Sequence, residues 1–546
     1  MTKVFSKNLF ASVLITAVAM GSITTNAIAA DVPEGVKLAK KQTLVRNNGA
    51  EPKSLDPHKN EGVPESNLTR DQFEGLVNID GNGDIYPGVA ESWENDDYRV
   101  WRFNLRKDAK WSNGDPVTAH DFVYSWKRLV DPKTASPYAS YLQYAHVANV
   151  DDIVNGKADP DTLGVKALDD YTFEITLSEP IPYIDKLVGH TSTYPVHPAT
   201  VEKYGNQWTS PKNFVGNGAY KVKNWVVNER IDLERNDLYW DNANTVIDNV
   251  TFLAVSSDVT DVNRYRSGEI DMTNNAIPID LFARLKRDLP EELKISPSLC
   301  TYYYEINNQK PPFTDARVRE AIKLALDRDI IANKVMGQGQ MPAFGLTPPS
   351  TVDMAVVEPE WFSWTQKERN EKARQLLEEA GYNQKNPLTF TLLYNTSEGH
   401  RKIAIAAASI LKQNAGVEVK LENQEWKTYL DSKRQGDYEI ARAGWCADYN
   451  EPSSFLNIML STSSNNTAHY KSEAFDKAMR GSITAQSPEE RVKAYQNSEK
   501  AMDQDSAIVP IYYYVSPRLV KPYVGGYSTN NPLGSVYTKD LYIIEH

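Results

Sequence analysis

Apolar positions in this chain recur with two periods, and segments of the two kinds alternate from one end to the other. Residue-by-residue alternation and short β-branched or aromatic runs predict strands at 43–47, 101–105, 171–177, 231–234, 302–306, 388–394, 417–422 and 508–515. Apolar residues spaced by three and four predict helices at 119–129, 317–336, 366–380, 401–413, 425–434 and 488–505. Two of these helices carry clear start signals. In Thr314-Asp315-Ala316-Arg317 an oxygen-bearing side chain precedes the periodic positions Val318, Ile322 and Leu326. In Ser487-Pro488-Glu489-Glu490 a cap residue is followed by proline at the first helical position and then by acids near the positive end of the helix dipole. Strands interleaved with helices throughout predict an α/β architecture.

Two stretches break the alternation. Segment 342–364 has no period and holds Pro342, Pro348, Pro349 and Pro359, so it reads as an excursion lying over a packed domain. No flexible Gly/Ser linker occurs, so domains should be joined by short strands, a geometry suited to hinge closure. The other exception is the N-terminus. Lys3 and Lys7 precede an apolar run over 9–20, and Ala27-Ile28-Ala29 places small residues where a signal peptidase reads. The run is too short to span a bilayer, which takes about 20 apolar residues. Residues 1–29 are therefore expected to be a signal peptide cleaved after Ala29, delivering the chain to the periplasm. No cysteine lies near that point, so no lipid anchor is expected.

At 546 residues the chain is too long for one ordinary domain, and its 41% hydrophobic and 24% charged content is that of a folded globular protein. Its formal charge of -12 becomes -14 once the two leader lysines are gone. Such acidity argues against nucleic acid or an anionic membrane as the main partner. The two cysteines, Cys300 and Cys446, are a disulfide candidate in an exported protein, with two buried free thiols as the alternative.

Catalytic signatures are missing. The chain has no Gly-x-Ser-x-Gly, no His-Glu-x-x-His, no Gly-x-x-x-x-Gly-Lys and no Gly-x-Gly-x-x-Gly. None of its eight histidines is paired at close metal-ligand spacing, so no metal and no cofactor is expected. Aromatic residues are abundant instead, with 30 Tyr and 11 Trp. Tyrosines cluster at 138/141/144, 302–304 and 512–514. Strands covered on both faces account for such runs. The sharper reading is that alternate tyrosines face a cleft.

One long motif carries a family resemblance. Ala90-Glu91-Ser92-Trp93 leads to Trp101-Arg102-Phe103-Asn104-Leu105-Arg106-Lys107-Asp108-Ala109-Lys110-Trp111. It continues through Asn113-Gly114 and Val117-Thr118-Ala119 to Asp121-Phe122-Val123-Tyr124-Ser125-Trp126. Further matches are Gly216-Asn217-Gly218-Ala219-Tyr220, Gly268-Glu269-Ile270-Asp271, Leu299-Cys300-Thr301-Tyr302-Tyr303-Tyr304, and Ala441-Arg442-Ala443-Gly444-Trp445-Cys446-Ala447-Asp448-Tyr449-Asn450. The chain thus resembles the peptide/nickel-type solute-binding proteins of ABC importers, in their oligopeptide-binding branch. The resemblance implies a type II periplasmic-binding-protein fold, with two large lobes about a hinge plus an inserted third lobe. Lobe I would be discontinuous (30–73, 198–299 and 516–546), lobe II (74–197) inserted in it, and lobe III (300–515) joined to lobe I by two strand crossings. Cys300 and Cys446 would be the two halves of the family's disulfide.

The function implied is capture of short peptides with little sequence preference and delivery to ABC importer permease subunits at the inner membrane, by a monomer that does no chemistry. Asp448 would pair with the peptide's α-amino group. Glu61, Val63, Tyr138, Gly444 and Cys446 would line the peptide, the backbone of Val63 and 444–446 pairing with it as an added strand does. Arg442, His400 and Lys433 would meet the carboxylate end. Lys433 departs from the Arg usual in the family and lacks its planar fork. Trp426, Trp445, Tyr303 and Tyr514 would wall the side-chain pockets, with Asn275 and Asn395 as polar contacts. The competing readings are a sibling carrier of dipeptides, murein peptides, haem or nickel, a chaperone-like role, and a secreted hydrolase.

Overall fold

A computed structural model describes residues 30–546 except 61, 353, 355, 356, 425, 464 and 486. The leader expected at 1–29 lies outside the described residues, as does Glu61. Among the described residues no helix is long and apolar enough to cross a membrane.

Three larger sheets organise the chain. In the first, Thr43–Asn47 pairs in parallel with Asn249–Leu253, and Arg230–Arg235 and Tyr220–Val226 follow antiparallel. The second is antiparallel, in the order Ala90–Asp96, Val100–Leu105, Thr172–Thr176, Val165–Asp169. On it lies helix Ala119–Val130, which starts in a Thr118/Asp121 capping box and buries Phe122, Ser125, Trp126 and Leu129. One continuous core joins these two sheets, running from Leu44 and Val250 to Phe103, Trp126 and Phe173.

The third sheet is mixed and has six strands, in the order Met341–Pro342, Ile508–Leu519, Leu293–Ile306, Ile440–Cys446, Thr389–Asn395, Glu418–Gln424. Helices cover both faces. Tyr302, Tyr304 and Tyr512 pack with Val318, Ile322, Ala373 and Ala407 on one side. Tyr303 and Ala443 pack with Phe455, Phe475, Tyr495 and Met502 on the other. The triple tyrosines are thus mainly core: Tyr302, Tyr303, Tyr304, Tyr512 and Tyr513 are all buried, and only Tyr514 is partly open.

Two strands are longer than their patterns predict. Leu293–Ile306 and Ile508–Leu519 run on past the expected 302–306 and 508–515. Pro297, Pro510 and Pro517 conceal this continuity, because proline argues against a central strand. The pairing is irregular between Pro297 and Thr301 and between Tyr302 and Tyr303, and such breaks accommodate missing donors. The far ends, Leu293 and Leu519, reach a separate small core with Val262, Tyr265, Ile270 and Phe282. The strand pair therefore ties two packed bodies together.

One predicted helix is broken. Where 317–336 reads as continuous, the α-helix is Ala316–Ala325 and a wider π-helical turn follows at Ile330–Met336. Arg328 explains the break. Its fully buried guanidinium donates to the carbonyls of Lys323, Leu326, Ala343 and Pro510. Satisfying those carbonyls stabilises the bend, since buried backbone acceptors need partners. Segment 342–364 packs against the same region, with Ala343, Leu346 and Trp361 buried.

Candidate functional site

The site grows from strand Ile440–Cys446. Ala441 and Ala443 are buried, whereas Arg442, Gly444 and Cys446 alternate on the more open face. Gly444 leaves room for its neighbour: a Cβ there would lie 3.1 Å from Nη2 of Arg442. Cys446 stands opposite Cys300 in register and is bonded to it. The disulfide thus staples the site strand to the long crossing strand.

Beyond Cys446 a buried polar knot fixes the chain. The Asp448 amide donates to Ser454 Oγ at 2.9 Å, and Trp445 Nε1 donates to the Ser454 carbonyl at 2.7 Å. Ser453 and Tyr495 donate to the fully buried Glu451, and Tyr449 shares a hydrogen bond with Ser453. These bonds aim Asp448 at an aromatic cage from segment 138–144. Tyr138 donates to the Asp448 carboxyl. His190 stacks on both Tyr138 and Tyr141, with ring centroids 4.8 and 4.7 Å away. Tyr144 accepts from Asn465 Nδ2 at 2.6 Å. A small cavity remains, lined by Tyr144, Trp445, Asp448, Tyr449 and Ser454.

Burial pushes the Asp448 carboxyl up to about 7, with the Tyr138 hydrogen bond working against it. Among the described residues no cationic side chain pairs with this acid. His190 supplies no charge, because burial and Arg70 push it down to about 3.

Six residues up the chain the situation is reversed. Arg442 donates to Tyr514 Oη at 2.9 Å and to Asn395 Oδ1 at 3.5 Å, and its guanidinium lies 5.0 Å from the Tyr302 ring. Its Nε has no partner, and among the described residues no carboxylate pairs with it. His400 sits beside Tyr302 near the start of helix Glu398–Ala415, its Nδ1 also unpartnered. Burial and the charge of Arg442 push His400 down to about 3, so it is neutral. Fully extended, the chain between residues 442 and 448 spans at most about 21 Å. A half-buried acid without a cation and a half-buried cation without an acid, among the described residues, are thus held apart on one strand and its extension.

The remaining candidates fall elsewhere. Lys433 is neutralised within the fold, 2.6 Å from the buried Glu305. Tyr303 is buried in the core on the face of the sheet opposite Arg442. Asn275 is occupied by Asp261 and the Val255 carbonyl. Val63 begins helix Val63–Gln72 and is 58% exposed. Trp426 starts helix Trp426–Gln435, and its side chain lies outside what is described. Sequence reading missed His190, which no motif marks, and Ser454, in the short helix Ser453–Leu456.

Residues 84–467 match the bacterial extracellular solute-binding proteins, family 5. Over all 546 residues of both chains, the sequence is 63% identical to the periplasmic oligopeptide-binding protein OppA of Salmonella typhimurium. The structure resembles that of Haemophilus influenzae OppA in complex with the peptide RPPGFSPFR. The TM-score is 0.83 at 53% identity, covering 93% of this chain and all of that one. It also resembles the Escherichia coli murein tripeptide binding protein MppA, with a TM-score of 0.85 at 46% identity over 93% of this chain and all of the other.

Proposed function

Because the chain belongs to the bacterial extracellular solute-binding proteins of family 5, we propose that it captures short peptides with little sequence preference and delivers them intact to an ABC-type importer. The observation that carries this is the complementary pair of unmet charges. Among the described residues Asp448 has no cation and Arg442 no acid, and a zwitterionic peptide supplies both at once. Charges left unpaired away from water are costly, so a ligand that pairs them gains where a neutral solute does not. Family membership argues for carriage over catalysis.

In this reading Asp448 and Tyr138 hold the peptide ammonium, and Arg442, with neutral His400 and Asn395, receives the carboxylate. Between them the backbone of Val63 and of 444–446 pairs with the peptide main chain, which is blind to side-chain identity. Trp445, Trp426 and Tyr514 border loose side-chain pockets in which water substitutes for direct bonds at small cost. The chain divides into lobe I (30–73, 198–299, 516–546), lobe II (74–197) and lobe III (300–515). The crossing strands Leu293–Ile306 and Ile508–Leu519 are the hinge, and closure buries the guest because ligand favours the closed state by differential affinity. The protein works as a monomer in the periplasm after losing residues 1–29.

Native mass spectrometry of protein purified from its own cells tests this. Peptides of a few residues should co-purify, and added peptide mixtures should be returned uncut. A metal or tetrapyrrole in their place, or hydrolysed peptides, overturns the reading.

A further inference from the structure

A second cavity lies away from the proposed peptide site. A hollow of about 680 Å³ lies at the Met341–Pro342 edge of the six-stranded sheet, within the range of roughly 300–1,000 Å³ typical of small-molecule sites. Helices Ala316–Ala325 and Pro488–Gln504 contribute Glu320, Lys323, Glu499, Lys500 and Asp503 to its lining, and the proline-rich segment contributes the outer wall.

That wall is aromatic. Phe344 meets Trp361 at 5.4 Å and Phe362 edge-on at 4.7 Å, and Trp364 lines the hollow beside them. Phe362 remains 38% exposed. Carboxylates outnumber ammonium groups in the lining: Glu320, Glu358, Glu360, Glu499 and Asp503 against Lys323 and Lys500. Lys323 is already engaged, 2.7 Å from Asp503. Glu499 is the telling residue. It is only 5% exposed and accepts the amides of Leu346 and Thr347 at 3.2 and 2.8 Å. Among the described residues no cationic side chain pairs with it. Lys323, Arg328 and Arg369 lie 5.4, 4.7 and 5.7 Å from the Trp361 ring, so cations already gather on this aromatic surface.

We propose that this hollow is a second binding site for a small organic cation, an amine or quaternary ammonium compound with an aromatic or alkyl body. An enclosed carboxylate lacking a counter-ion draws the charge, and faces of Phe344, Phe362 and Trp364 attract it further through their quadrupoles. Apolar surface from Met341, Pro342, Pro349 and Pro359 accepts the body. The site is separate from the peptide cleft. Its edge strand is three strand spacings from Ile440–Cys446 in the sheet order, about 14 Å at the usual separation, and it shares no residue with the Asp448 or Arg442 clusters.

Titration calorimetry on the full mature protein tests it, using 2-phenylethylamine with 2-phenylethanol as the neutral control. The protein is first saturated with a tripeptide, so that Asp448 is unavailable to the amine. The amine should bind once per chain with sub-millimolar affinity, and the alcohol at least about tenfold more weakly. Glu499→Gln and Trp364→Ala should each weaken the amine by about tenfold or more while leaving tripeptide affinity within about twofold. Absence of amine binding with the cleft full, equal binding of the alcohol, or unchanged amine affinity in both variants overturns the proposal. If Glu499→Gln loses tripeptide binding through misfolding, Trp364→Ala at the cavity wall decides alone.

Discussion

The two ends of the proposed peptide site are built in opposite ways. At the Asp448 end one acid is fixed by a buried knot (Ser453, Ser454, Glu451, Tyr495) and met by a stacked cage of Tyr138, His190 and Tyr141. At the Arg442 end the cation leans on Tyr514, Asn395 and Tyr302, with His400 beside Tyr302. His400 is held neutral, and Lys433 is spent on Glu305. The lesson is a division of labour. In the proposed reading a singular anchor sets where a peptide begins, and a looser partner receives whatever length follows.

Removing the anchor should therefore cost most. In calorimetric titration Asp448→Ala is expected to weaken free-amine peptides by about 100- to 1,000-fold, the consequence of leaving an ammonium enclosed without its partner. N-acetylated peptides should lose far less. Equal losses for both erase the contrast.

Arg442→Ala should cost less, about 30-fold, because Asn395, Tyr514 and His400 still offer hydrogen-bonding atoms near the carboxylate. The loss should vary with peptide length, unlike that of Asp448→Ala. A loss independent of length across di- to pentapeptides places the two ends on the same footing.

Acidity sharpens the contrast further. With the Asp448 carboxyl near 7 in the ligand-free protein, a proton occupies it below that pH and must leave before an ammonium can pair. Affinity should fall about fivefold from pH 7 to pH 6 as the free protein gains the competing proton. Asp448→Asn should flatten the profile. A profile that stays steep in this variant moves the titrating group elsewhere.

The smallest effect on binding is expected from Lys433→Met. Peptide affinity should stay within about threefold, while stability falls by about 3 kcal/mol because Glu305 is left buried without its cation. Paired binding and thermal-unfolding measurements separate the two. A large loss of affinity with intact stability returns Lys433 to the site.

Local chemistry made much of the molecule legible without coordinates. Alternating and helical periods located strands such as Thr43–Asn47 and helices such as Gln366–Glu379 and Pro488–Gln504 to within a residue or two. These elements bury one face each, so their solvation pattern is written into neighbouring residues. The motif around Arg442 and Asp448 was equally visible. What the sequence could not decide were long-range facts. Proline disguised the crossing strands Leu293–Ile306 and Ile508–Leu519, and Arg328 broke a helix by reaching carbonyls as distant as Pro510. Which charges stay unmet was also a tertiary outcome. Lys433 and Arg442 look alike as basic residues, and only packing reveals that Glu305 neutralises one while the other waits for an acid. Electrostatic partners in a fold are chosen by three-dimensional proximity and burial, and neither has a signature in residue order.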